Sequence, residues 1–95
     1  MRPLDSEAPL IALDTSLQMS AGKAAAQAGH ASMLLAAARE TSWVQQWAQA
    51  DFPLNVRELP REEFAELAAR PETVAVRDAG FTEVAPGSTT AIAIA

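Results

Sequence analysis

The spacing of apolar and polar positions changes along this chain, and the changes mark out strands and helices. Leu10-Ile11-Ala12-Leu13 is a short unbroken apolar run, opened by Pro9 and closed by Asp14-Thr15. Such a run is what a strand covered on both faces shows, so Pro9–Thr15 reads as the first strand. Ser16–Ser20 reads as a strand-to-helix loop. From there alanine, leucine and methionine predict a helix running to about Glu40, with Ser20 as its N-cap and Gly22 loosening its entry. Thr41 or Ser42 can cap a further helical piece, Ser42–Gln49, whose Trp43 and Trp47 share a face and read as packing residues. Asp51 and Pro53 break it.

Leu54–Leu59 reads as a second strand, with Leu54 and Val56 on one side and Glu58 following the same alternation. Pro60 suits the first turn of another helix, where Glu62 and Glu63 complement the positive end. Phe64, Leu67 and Ala68 make that helix's buried stripe, and Arg70-Pro71 ends it. Thr73–Asp78 is rich in β-branched residues and reads as a third strand. Ala79-Gly80 turns the chain, Ala85-Pro86-Gly87-Ser88 has the Pro-Gly order of a type II turn, and Thr89–Ala95 closes it as a fourth strand. The order β-α-β-α-β-β predicts one α/β domain over residues 1–95, a mixed four-stranded sheet with flanking helices. Met1–Ala8 is expected to fray.

Composition narrows the class. Ninety-five residues hold one core, and 49% hydrophobic content is globular. Aromatics are only 5% against abundant alanine, so elements must pack by close backbone approach, and a homodimer interface would help so small a core. With no cysteine there is neither a disulfide framework nor a thiolate metal site, which fits a reducing interior. No apolar run has membrane-spanning length, and the N-terminus lacks a signal-peptide pattern; a cytoplasmic protein is the expectation. The net charge of −5, with one lysine and six arginines, argues against broad nucleic-acid affinity; such a role would need a local basic patch.

The chemistry-bearing residues gather in two stretches. At roughly 100° per residue, Lys23, Gln27 and His30 fall in one narrow sector of the long helix. Ala24, Ala28, Ala31 and Leu35 form a small-residue sector about a third of a turn away. A lone first-turn lysine is ordinarily solvated and a lone histidine ordinarily structural, so this stretch by itself decides little. The second stretch is Asp78–Ser88. Ligands of α/β sheets gather at the carboxyl ends of strands. Strand one ends where the Lys23 helix begins, and strand three ends at Asp78. If those strands are parallel neighbours, Lys23 and Asp78 share an edge, with Thr82 beyond the Gly80 turn. An ammonium at a helix N-terminus can stabilise a negative oxygen or hold a phosphate, and a carboxylate can orient water. Ester hydrolysis is compatible with such a cluster.

Met19–Ala31, MSAGKAAAQAGHA, resembles the signature M-G-K-G-K-x-A-A-Q-x-x-H-A of type 2 peptidyl-tRNA hydrolases, the archaeal and eukaryotic type with scattered bacterial members. Arg77–Ala95, RDAGFTEVAPGSTTAIAIA, resembles that family's closing D-A-G-R-T-Q-I-x-P-G-S-x-T-V-x-A-I-G-P. The motifs come in the right order, and the resemblance covers roughly Leu10 to Ala95. It implies a mixed four-stranded sheet, a homodimer, no metal or other cofactor, and cleavage of the ester between a peptide and the 3′ ribose of tRNA. It also implies that Lys23, Asp78 and Thr82 are catalytic. Lys23 would stabilise the developing oxyanion, Asp78 would position Lys23 or the attacking water, and Thr82 would hydrogen-bond water or substrate. Ser20, Gly22, Gln27, His30, Gly80, Pro86, Gly87, Ser88 and Thr90 would bind substrate or support the trio.

Several basic positions of the family pattern differ here. Ala21 stands for the first lysine and Ser20 for the first glycine; Phe81 and Glu83 replace arginine and glutamine; Asp14 stands where strand one usually has arginine; Gln18 and Thr89 replace basic residues. The kept trio favours an enzyme. The lost charges leave two alternatives open: an enzyme acting on a smaller ester or amide, and a non-catalytic binding protein on the same scaffold.

Overall fold

The apolar run at the start of the chain becomes an interior strand. In the computed structural model, which describes residues 8–78, 84 and 87–95, β1 (Leu10–Asp14) is buried from Ile11 through Asp14. A turn of 3₁₀ helix, Thr15–Leu17, leads to α1 (Ala21–Ala38) and then α2 (Thr41–Gln49). The chain continues through β2 (Asn55–Leu59), α3 (Arg61–Ala68), β3 (Val74–Arg77) and β4 (Thr89–Ile94). This is the expected α/β domain with a mixed four-stranded sheet.

The strand order is β2-β1-β4-β3. β1 runs parallel to β2 and antiparallel to β4, and β3 is antiparallel to β4. Strands one and three are therefore parallel but are not neighbours, because β4 lies between them. The shared edge survives that correction: both strands run against β4, so both end at the same side of the sheet.

Alternation distributes the core over two faces. Ile11, Leu13, Val76, Ala91 and Ala93 pack against Ala31, Leu35 and Trp47 from the first two helices. Ala12 and Ile92 point the other way, against Phe64 of α3, with Leu67 and Ala68 beside them. The small-residue sector of α1 is used as read: Ala24 and Ala28 are partly buried and Ala31 and Leu35 fully so. α1 thereby lies across β4, β3 and β1.

Boundaries moved by one or two residues where caps decide them. Ser20 caps α1, its Oγ accepting from the Lys23 amide at 3.2 Å. α2 starts after Glu40, which supplies no side-chain cap, so neither Thr41 nor Ser42 is the N-cap. Pro60 is itself the N-cap of α3 rather than its first helical residue. Trp43 and Trp47 pack with ring centroids 5.3 Å apart and planes tilted by 45°, and the Trp47 indole donates to the Pro53 carbonyl at 3.0 Å. The Leu54 and Val56 side of β2 stays exposed, at 38% and 52%. No helix among the described residues is long and apolar enough to cross a membrane.

Leu35 is fully buried between α1 and the sheet, so Leu35→Ala should lower stability by about 2–5 kcal/mol through lost contacts and the cavity left. Urea unfolding reads this, and a loss under about 1 kcal/mol would contradict the packing described.

Candidate functional site

Asp78 follows the last residue of β3, and alternation turns its side chain toward α1. Its Oδ1 lies 2.7 Å from Lys23 Nζ. The two side chains are 11% and 14% exposed, so the pair is largely withdrawn from water. Lys23 sits in the first turn of α1, where Ser20 fixes the start of the helix above the carboxyl end of β1. Two hydrogen bonds hold the Asp78 backbone: its amide donates to Ser88 O at 2.9 Å, and its carbonyl accepts from the Gly87 amide at 2.7 Å. Gly87 has φ +81°, a left-handed conformation that glycine adopts without strain.

One turn beyond Lys23 in α1, Gln27 bonds to this carboxylate. Its Nε2 donates to Asp78 Oδ1 at 3.3 Å and to Thr90 Oγ1 at 2.8 Å. Gln27 and Thr90 are 2% and 0% exposed, so these groups have no water to fall back on. Because a carboxylate only accepts, the amide nitrogen must face Asp78 and the amide oxygen must face His30. Gln27 Oε1 lies 2.8 Å from His30 Nδ1, which therefore carries a proton. His30 is exposed at the outer end of this chain of bonds.

A backbone irregularity delivers Thr90. The β3–β4 register pairs Val76 with Ala91 but Arg77 with Thr89, leaving Thr90 as the extra residue of a β-bulge. Without the bulge, alternation would send Thr90 to the α3 face, opposite Ala91. With it, Thr90 meets Gln27 on the α1 face. Bulges commonly re-aim a side chain beside a functional site.

The sequence-read residues thus divide clearly. Lys23, Gln27, His30, Asp78 and Thr90 form one connected network. Gly87 and Ser88 brace it by backbone, and Ser20 caps the helix that carries it. A Cβ at Gly22 would meet nothing within 4 Å, so Gly22 leaves open space at the helix start. Thr82, Gly80 and Pro86 lie outside the described residues. No group of three metal-ligating side chains occurs among the described residues.

Sequence reading missed one cluster on the same edge. Asp14, read only as a lost positive charge, is 2% exposed and ion-paired to Arg61, with Nε to Oδ2 at 2.9 Å. Its Oδ1 accepts from the Ser16 amide at 2.9 Å and the Ser16 hydroxyl at 2.6 Å. The available signal was Arg61 itself: a cation in the first turn of a helix opposes the helix dipole, and such a residue calls for a partner.

Chemically, the arrangement offers an ammonium fixed beside a carboxylate at a helix N-terminus, with a neutral amide, itself held by a buried hydroxyl, bonded to the carboxylate. That combination can stabilise negative charge developing on an oxygen and orient a water beside it.

Comparison with known proteins agrees with the resemblance. The family profile described as peptidyl-tRNA hydrolase PTH2 matches residues 9–95. A protein of Pyrobaculum aerophilum named peptidyl-tRNA hydrolase is 39% identical over 98 residues, covering 88% of this chain and 79% of its own length.

A double-mutant cycle on Lys23→Met and Asp78→Asn should return a coupling of about 1–3 kcal/mol in unfolding free energy, as expected for a largely buried pair. Additive effects would mean that the contact is not made in solution.

Proposed function

The chain belongs to the peptidyl-tRNA hydrolase PTH2 family, and we propose that Lys23 and Asp78 carry its hydrolysis of the ester joining peptide to tRNA. The observation behind this assignment is the 2.7 Å contact between Lys23 Nζ and Asp78 Oδ1, formed by two residues 55 positions apart in sequence. Water attacks the ester carbonyl carbon, and negative charge gathers on the carbonyl oxygen. Lys23 stabilises that oxygen. Asp78 orients the ammonium and the attacking water, and the 3′ oxygen of the ribose departs with a proton. Gln27, anchored on Thr90, keeps Asp78 in one position, so little reorganisation accompanies the developing charge. Thr82 is assigned on the resemblance alone, as a hydrogen-bonding partner of water or substrate. His30, bonded to Gln27, has a supporting role, and Ser20, Gly22, Gly80, Pro86, Gly87 and Ser88 shape the surround.

A cytoplasmic homodimer goes with this reading. The exposed apolar residues Phe52, Leu54 and Val56, at 51%, 38% and 52%, offer a surface for the second copy. Sedimentation equilibrium should then return twice the monomer mass at micromolar concentration; a monomer at every concentration tested would remove the dimer.

The activity test is release of peptide from an N-blocked aminoacyl-tRNA. Lys23→Ala should lower kcat by roughly 10²–10³-fold, the usual effect of deleting one oxyanion stabiliser, and Asp78→Ala should be at least as severe. Absence of turnover by the wild type would overturn the hydrolase reading. Wild-type rates in folded Lys23→Ala would overturn the role of Lys23.

A further inference from the structure

The edge that holds Lys23 and Asp78 continues onto the other face of the sheet, into an open cleft of about 530 Å³. Gly87, Ser88 and Thr89 line it, and the backbone of Gly87 and Ser88 is also what pins Asp78. The cleft therefore borders the catalytic pair through a shared stretch of chain. Its charged wall is Arg61 with Asp14.

The way Arg61 is held is informative. The buried Asp14 carboxylate takes Nε at 2.9 Å, and the Ser16 hydroxyl takes the same nitrogen at 3.2 Å. Ser16 in turn gives its amide and its hydroxyl proton to Asp14, so carboxylate, hydroxyl and guanidinium form one closed cluster. The two terminal nitrogens of Arg61 have no partner among the described residues, and the side chain is 63% exposed. The carboxylate is buried and the guanidinium reaches water, so the pair matches Asp14 while leaving the far end of Arg61 outside. What the anchor does is fix orientation. A guanidinium gripped by Nε presents its remaining N–H groups as a planar fork, whose geometry matches two oxygens of a phosphate. Across a chain of net charge −5, phosphate is attracted only by such local devices.

We propose that Arg61, positioned by Asp14 and Ser16, binds a backbone phosphate of the tRNA whose 3′ end lies at Lys23 and Asp78. The inference rests on the hydrolase reading, which brings a phosphodiester chain to this edge. Arg61 touches the substrate, and Asp14 is a positioning residue.

The test is equilibrium binding of deacylated tRNA over a range of salt, which needs no turnover. Arg61→Gln should weaken binding roughly 10-fold, the scale of one charge-assisted hydrogen bond. It should also make the slope of log K against log salt shallower by roughly 0.7–0.9, one phosphate contact. Because Arg61→Gln strands a buried carboxylate, the second variant is Asp14→Asn with Arg61→Gln. That pair leaves no unmatched charge and keeps the net charge at −5, so only a local contact predicts the same weakened affinity and shallower slope. Arg61→Lys keeps a cation without the fork and should retain the slope while recovering only part of the affinity. Wild-type affinity and slope in both glutamine variants would overturn the proposal. A wild type that binds tRNA through Arg61 yet releases no peptide would overturn the hydrolase reading and leave the phosphate contact standing.

Discussion

A carboxylate almost removed from water must be matched, and much of this structure follows from matching one. Asp78 directly follows β3, with its side chain 11% exposed. Lys23 supplies the opposite charge, Gln27 supplies a neutral donor, and Gly87 and Ser88 hold its backbone. Each partner then constrains something else. Gln27, having turned its nitrogen to Asp78, must turn its oxygen to His30. Thr90, the other acceptor for that nitrogen, requires the bulge in β4. Lys23 requires α1 to begin where Ser20 caps it. The conformation of the site is thus set by hydrogen-bond direction more than by shape.

The same edge repeats the device with a different outcome. Asp14, at the end of β1, points to the opposite face of the sheet and holds Arg61. One acidic residue fixes an ammonium that is 14% exposed, the other a guanidinium that is 63% exposed. A protein with more acidic than basic residues can in this way present cations where it needs them, because the acids are buried beneath the cations they hold. Net charge describes the far field, whereas recognition at an edge depends on which charges are fixed and which are left outward.

Local signals in the chain were read well. Element types, their order and the polar sector Lys23, Gln27 and His30 all follow from spacing over a few residues, and that sector does meet Asp78. The Pro-Gly order marked the turn at Gly87, and motif resemblance added Thr90. What spacing could not reveal depends on pairing between distant segments. The placement of β4 between β1 and β3 is decided by which edges find partners, and the one-residue slip that re-aims Thr90 exists only in the paired ladder. Asp14 was legible as a missing positive charge but not as an anchor, because Arg61 lies 45 residues beyond the Ser16 that shares its bond. Even there the sequence carried a trace, an arginine against the dipole at the start of a helix.

The central claim is that Lys23 meets the oxygen on which charge develops. The most direct measurement is a crystal structure of the complex with a peptidyl-adenosine analogue joined by a 3′ amide, which binds as the ester does and resists hydrolysis. The account predicts the amide carbonyl oxygen within hydrogen-bond distance of Lys23 Nζ, with Asp78 still bonded to Gln27. A carbonyl bound elsewhere on the molecule, with the Lys23 and Asp78 pair untouched by ligand, would contradict it.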